Sequence, residues 1–218
     1  MSKPRFEYKP YQLNFKETKF KGESWSYIAP TWEEMGKIYL NLGAQILKDG
    51  EKFDALVTLA KGGWTWSRTM ADILDISEIH SFKLSLYDDS EPGKIREKPK
   101  LDLPLTATLF GKRILFFDDV NDTGKSLYWS LKYLDFYNPL KIKTATLFHK
   151  PHSKFIPDYY EYVTSTWIIF PHERREGTVG LSKKWLKQGL DISKIKNRLI
   201  KIGIPEKEIN LFLNLEGL

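Results

Sequence analysis

The sequence contains no cysteine. That excludes disulfide bridges and thiolate metal sites, and it is compatible with the cytoplasmic location we expect. No apolar run reaches membrane-spanning length, and the N-terminal stretch MSKPRFEYKP carries charge and proline where a secretory signal needs an apolar core. No membrane partner is therefore expected. Internal repeats and low-complexity tracts are also missing. So is any dense Lys/Arg tract or alternation of basic and aromatic residues. The net charge of +6 and the pI near 9.2 could suit nucleic acid or equally polyphosphate substrates, but the dispersed Lys and Arg read mostly as solvated surface, and no nucleic-acid partner is expected.

What is present is a core-forming composition. The chain has 218 residues, 41% of them hydrophobic and 14% aromatic, enough for one α/β domain with an appendage. A Lys- and Glu-rich chain without cysteine is also what thermophiles favour. Residues 1–28 lack a clear period and read as an arm or edge strand. Thr31 and Glu34 form a capping box, followed by Trp32, Met35, Ile38, Tyr39, Leu42 and Ile46 at helical spacing, with Gly50 as the terminator. That stripe is core.

Strands are expected over 53–59 and from Ile114 to Phe117, both buried, and over 79–87, within 103–109, over 143–148 and over 166–170. Helices are expected over 64–74 and 124–136, the latter stopped by Asn138-Pro139. Residues 151–162 read as a looping segment. Strands alternating with helices imply a mostly parallel sheet with right-handed crossovers. Beyond Arg175 the strand signal ends. Three short helices, 182–188, 192–202 and 205–215, are expected there, with Asp191 capping the second and Pro205 in the first turn of the third. Leu181, Trp185, Ile195, Leu199, Ile209, Leu211 and Leu213 would supply their shared core. The expected division is thus a catalytic domain over 1–176 and a helical extension over 177–218.

The most informative stretch is 113–127, RILFFDDVNDTGKSL. An apolar run ends on Asp118 and Asp119, and Asp122-Thr123-Gly124-Lys125-Ser126 then opens a helix. Open α/β sheets bind ligands at the carboxyl ends of their strands, and the unpaired N–H groups at a helix start attract anions. A buried strand with an ordinary Asp-rich turn would leave two adjacent acids unexplained. A nucleotide P-loop needs glycine where this chain has Asp119, so that reading fails. Ala60-Lys61-Gly62-Gly63 ends the first buried strand, and consecutive glycines let backbone amides line an anion nest. Arg68, one helical turn on, is either a phosphate ligand or a surface charge. Residues 88–100, DDSEPGKIREKPK, have the turn residues and charge of a mobile loop.

The strand, the acid pair and the DTGKS helix start together resemble the signature of the type I phosphoribosyltransferases, which use 5-phosphoribosyl 1-pyrophosphate (PRPP). The resemblance implies a Rossmann-like fold in which Asp118 and Asp119 hold the ribose hydroxyls. Residues Asp122 to Ser126 would wrap the 5′-phosphate. Ala60, Lys61 and the amides of Gly62 and Gly63 would face the pyrophosphate, with Arg68 as a further candidate, and 88–100 would close as a lid. The stretch through LFHK, PDYY and TWIIFPHE resembles the 6-oxopurine branch. It implies Lys150 as donor to the exocyclic oxygen of the base, Trp167 as stacking platform and Ile168 as backbone edge partner, with 150–176 as the base-binding hood. Glu173 falls near a position that helps hold metal and pyrophosphate.

Two features depart from that branch: His172 stands where an aromatic is usual, and the helical tail is additional. A tail of this kind resembles crenarchaeal adenine enzymes. The expected reaction is purine phosphoribosyl transfer with adenine as the base and AMP as product, and with hypoxanthine, guanine or xanthine as the alternative. Mg2+ is the implied cofactor, reached by Asp118, Asp119 and Glu173 directly or through substrate and water. Asp122 would handle the ring-nitrogen proton, and a homodimer is expected. The rival from another class is a PRPP-sensing regulator that binds nucleic acid.

Overall fold

The computed structural model describes residues 7–87 and 95–218. In chain order the elements are β1 (Thr18–Lys19), β2 (Ser26–Ile28), α1 (Trp32–Asp49), β3 (Ala55–Leu59), α2 (Trp64–Ile73), β4 (Glu78–Tyr87), β5 (Ile95–Leu103), β6 (Arg113–Asn121), α3 (Lys125–Asp135), β7 (Lys141–His149), β8 (Tyr159–Val163), β9 (Trp167–Ile168), α4 (Arg174–Lys187), α5 (Ile192–Ile202) and α6 (Glu206–Leu215). The chain divides into two compact units: residues to Tyr11 with Lys37–Thr164, and Gln12–Gly36 with Ser165–Leu218. The boundary expected near residue 176 falls inside α4.

Unit 1 holds a six-stranded sheet in the order β5-β4-β3-β6-β7-β8. Five strands run parallel, and β5 alone is antiparallel, to β4. The central strands read as continuous apolar runs because both of their faces are covered: every residue of β3 is buried, and so are Ile114 to Asp119 of β6. Ala55, Val57, Phe82, Ile114, Phe116, Leu127 and Leu134 form the core on one side. Thr31 caps α1 as its sequence predicts: Glu34 N–H donates to Thr31 Oγ1 (3.2 Å) and Thr31 N–H to Glu34 Oε2 (2.7 Å). Gly50 ends the helix with φ +76. Met35, Ile38, Tyr39, Leu42 and Ile46 are buried, whereas Trp32, at the first helical position, is exposed.

Unit 2 has a small sheet in the order β1-β2-β9 and the helices α4, α5 and α6. The edge strand expected in the N-terminal arm is β1 with β2. The helices share a core of Leu181, Trp185, Ile195, Leu199, Ile209 and Leu213 with Tyr27 and Ile169 from the strand side, while Leu211 is exposed. Glu23 is the polar centre of this unit. Its carboxylate accepts from Trp185 Nε1 (2.8 Å), Lys184 Nζ (2.5 Å) and the Tyr27 hydroxyl (2.9 Å). Burial pushes its pKa up, and these three donors more than offset that, so the net direction is down. Asp191 caps α5 by accepting from Lys194 N–H at 2.8 Å.

Four expectations are corrected. The strand expected within 103–109 lies earlier, as β5; Leu105 and Leu109 are buried without strand pairing. Residues 159–162 of the expected looping segment, with Val163, form β8, the edge of the main sheet. The strand expected over 166–170 is the two-residue β9, paired with β2 instead of the main sheet. Helix α4 begins eight residues before the expected 182, because Gly177 and Gly180 interrupt its apolar period. A Cβ at Gly177 would stand 2.7 Å from Ile169 Cγ2, so glycine there permits a close helix–strand approach. The expected lid over 88–100 lies outside the described residues as far as 94, and 95–100 belong to β5. Among the described residues no helix is long and apolar enough to cross a membrane.

Candidate active site

Strand β6 extends further than the apolar run suggests, to Asn121, so the acid pair sits inside it and not in the turn beyond. Asp118 and Asp119 are 7% and 8% exposed. Asp119 N–H donates to Asp118 Oδ1 at 3.1 Å. Burial raises both carboxyl pKa values, and for Asp118 the charge of Asp119 adds to the rise. Two buried carboxylates with elevated proton affinity call for a counter-charge or for hydroxyl donors. The hydroxyl of Tyr39 is buried and has no hydrogen-bond partner among the described residues; burial and then the charge of Asp119 raise its pKa.

Parallel pairing sets Thr58 of β3 beside Phe117 of β6, so the loop leaving β3 runs next to the acid pair. This loop is Ala60-Lys61-Gly62-Gly63, with a cis peptide between Ala60 and Lys61. Space dictates both glycines. A Cβ at Gly62 would stand 2.8 Å from Asp119 Oδ2, and one at Gly63 would stand 1.9 Å from Thr58 Oγ1. The amide of Gly63 donates to Leu59 O (3.2 Å) and closes the turn. Arg68 is exposed and paired with Asp72 at 3.1 Å, the geometry of a solvated helix pair.

Gly124 precedes α3 with φ +83, and a Cβ there would meet Phe155 Cβ at 2.7 Å. Glycine thus turns the chain sharply enough for Thr123, Lys125 and Ser126 to line the helix start. Aligned peptide dipoles leave about half a positive charge at such a terminus. Thr123, Gly124 and Lys125 border a cleft of about 410 Å³ shared with Tyr128, His152 and Lys154. Asp122 is exposed and bonded to His152 Nε2 at 3.0 Å.

Asn121, 1% exposed, is a residue sequence reasoning passed over. Its Nδ2 reaches His149 Nδ1 (2.9 Å) and Phe155 O (2.6 Å), its Oδ1 accepts from Ser153 Oγ (3.2 Å), and its C=O accepts from Lys150 N–H (3.0 Å). The end of β6 therefore holds the 149–155 segment. Lys150 is buried there; burial lowers its pKa and the charge of Asp122 opposes that. The signal for Asn121 was its place directly before Asp122 in a buried strand, where an amide needs partners.

The remaining expected residues belong to unit 2. Trp167 is half-exposed and Ile168 buried, and with Glu173 they border one cleft of about 370 Å³, together with Trp25, Glu176 and Lys184. Among the described residues no three His, Cys, Asp or Glu side chains form a metal cluster. A buried pair of carboxylates is nonetheless a donor set that suits magnesium, which keeps several waters and takes few protein carboxylates beside substrate phosphates.

Comparison with known proteins agrees with this geometry. Residues 31–175 match the model of the phosphoribosyl transferase domain. The xanthine-guanine phosphoribosyltransferase of Desulfotalea psychrophila is 26% identical over 143 residues, 65% of this chain and 82% of that protein. Among solved structures, the purine phosphoribosyltransferase of Pyrococcus horikoshii superposes with a TM-score of 0.60 at 30% identity, over 67% of this chain and 93% of that one. The xanthine-guanine-hypoxanthine phosphoribosyltransferase of Helicobacter pylori gives 0.55 at 26% identity, over 71% and 98%. With its six-stranded sheet, its acid pair and its glycine-bounded loop, this chain belongs to the phosphoribosyltransferase family.

Proposed function

We propose that the protein transfers the 5-phosphoribosyl group of PRPP to a ring nitrogen of a purine base, releasing pyrophosphate and a nucleoside 5′-monophosphate. The observation that carries this reading is the closeness of the loop after β3 to the buried acid pair: a methyl at Gly62 would touch Asp119. A sugar held by Asp118 and Asp119 then has the loop after β3 on its leaving-group side and the start of α3 on its 5′-phosphate side. Negative charge beside the ribose stabilises the cationic character that develops as pyrophosphate departs. Mg2+ fits the carboxylate pair, and it would neutralise the leaving pyrophosphate. Asp122 takes the proton of the attacking ring nitrogen. Lys61 and the Gly62 amide serve the pyrophosphate.

The base is the open half of the reading. Relatives named for xanthine, guanine and hypoxanthine support a 6-oxopurine, and a charged Lys150 donates to a 6-oxo group. These relatives back the 6-oxopurine alternative better than the adenine expected from the helical tail. Adenine stays as the second reading on the helical tail alone, because an ammonium at Lys150 cannot accept from a 6-amino group. Residues Trp167, Ile168 and Glu173 keep the base and metal roles that the family resemblance implies for them.

The test is incubation with PRPP, Mg2+ and an equimolar mixture of adenine, hypoxanthine, guanine, xanthine and uracil, followed by identification of the monophosphate. Predominance of a 6-oxopurine nucleotide is the expected result. Predominance of AMP moves the assignment to adenine, and absence of every nucleotide overturns the enzyme reading.

A further inference from the structure

The proposed reaction assigns Asp122 the ring-nitrogen proton, and the role of its partner His152 rests on that assignment. Asp122 is mostly exposed, with 61% of its side chain accessible. A carboxylate so placed, at the head of a helix and in water, samples several rotamers unless something holds it. We propose that His152 is the positioning residue for Asp122, fixing its carboxylate by one oxygen and leaving the other for the proton of the purine.

The geometry is a short closed circuit. His152 Nε2 lies 3.0 Å from Asp122 Oδ1. The histidine sits in a tight turn, since Ser153 N–H donates to Lys150 O at 3.0 Å. That turn is tied to the residue preceding Asp122: Asn121 O accepts from Lys150 N–H, and Asn121 Oδ1 from Ser153 Oγ. Asn121 is itself buried and bonded to Phe155 O and His149. Both ends of the His152–Asp122 bond are thus anchored on one buried residue, which gives an exposed pair a defined separation. Exposed pairs of this kind contribute little to stability, so the arrangement acts on orientation.

Several charges face the pair. Lys150 acts on Asp122, His149 acts on His152, and Lys125 and Lys154 border the same cleft. A donating His152 Nε2–H occupies Oδ1 and leaves Oδ2 as the oxygen for the purine proton.

The experiment compares His152→Ala, His152→Gln and Asp122→Asn, singly and with His152→Ala added to Asp122→Asn, in the full chain with PRPP, Mg2+ and the base it accepts. His152→Ala is expected to lower kcat about tenfold while KM for PRPP stays within about twofold. His152→Gln, whose amide still donates, should recover most of kcat with KM for PRPP unmoved, a rescue by the conserved donor that a purely structural role would not give. On the Asp122→Asn background, His152→Ala should add no further loss. Wild-type kcat in His152→Ala across about pH 5–9, or equal losses on both backgrounds, overturns the inference while leaving Asp122 in its role. If His152→Ala does not fold, a His152→Gln enzyme that folds but loses kcat as fully as Asp122→Asn overturns it. Wild-type turnover in Asp122→Asn would overturn the assignment of Asp122 and the inference together.

Discussion

Gly62→Ala separates the chemistry of this site from its stability. A methyl at this position would stand 2.8 Å from Asp119 Oδ2, 3.1 Å from Cγ and 3.2 Å from Oδ1. Carbon and oxygen cannot share that distance, so the carboxylate must shift by about half an ångström or rotate away, and a misplacement of about 1 Å costs on the order of a hundredfold. We expect kcat/KM for PRPP to fall by about 10- to 100-fold. Stability should change little: Gly62 does not have a positive φ, the unfolded chain loses about 0.4–1 kcal/mol of entropy, and the contact costs about as much or slightly more. Thermal melting and PRPP-dependent steady-state kinetics are the two readouts. Gly36→Ala is the control, in the interior of α1 with nothing within 4 Å of its Cβ position; it should stabilise by about 0.5–1 kcal/mol and leave kinetics unchanged. A Gly62→Ala enzyme within twofold of wild type in kcat/KM would refute the idea that Asp119 must hold its observed position to bind the sugar.

Gly63→Ala should behave differently, because its methyl would strike Thr58 Oγ1, whose hydroxyl donates to Phe117 O at 2.7 Å; a loss of about 1–3 kcal/mol in denaturant unfolding is expected, along with the loss of activity. Asp118→Asn should abolish turnover yet melt at or above the wild-type temperature at pH 7. The folded carboxyl pKa is raised, so the stability this group contributes is present below the ordinary carboxylate pKa and lost as pH rises through the raised value; the amide does not titrate, and the difference should vanish near pH 4. Asp54 accepts from Arg113 through N–H, Nε and Nη2, and these bonds lower its pKa to about 2. Its side chain is 38% exposed, so Asp54→Ala should cost only about 1 kcal/mol at pH 7, a gap that narrows below about pH 4 and closes near pH 2. Glu23→Gln removes the charge that three donors converge on and should lower stability by about 2 kcal/mol in thermal or denaturant melts.

Much of this molecule is written locally in its sequence. Helices α1 and α5 have caps and periods that specify them within a few residues, and β3 and β6 are apolar runs that only a doubly covered strand explains. The elements of the candidate site were legible for the same reason: an acid pair, a Gly-Gly loop and a helix start each occupy contiguous residues. Contacts across the chain were not legible. His152 meets Asp122 from thirty residues away, Asn121 binds the segment that carries Lys150, and Tyr39 lies in the field of Asp119 from another element. Edge strand β8 was hidden because its sequence, YYEYV, shows no apolar alternation, and α4 because its first turns carry two glycines. Trp32 fits the apolar stripe of α1 by spacing, but the first residue of a helix lies at the rim of whatever the rest covers.

The central claim is that Asp118 and Asp119 hold a phosphoribosyl donor for transfer to a purine. The most direct measurement counts both products at once: wild type and the Asp118→Asn/Asp119→Asn variant are incubated with PRPP, Mg2+ and the preferred purine, and nucleotide and pyrophosphate are quantified. Equal amounts of the two from wild type, with turnover lowered about a thousandfold or more in the variant, is the result predicted. Pyrophosphate released without nucleotide, or a variant as active as wild type, would contradict it.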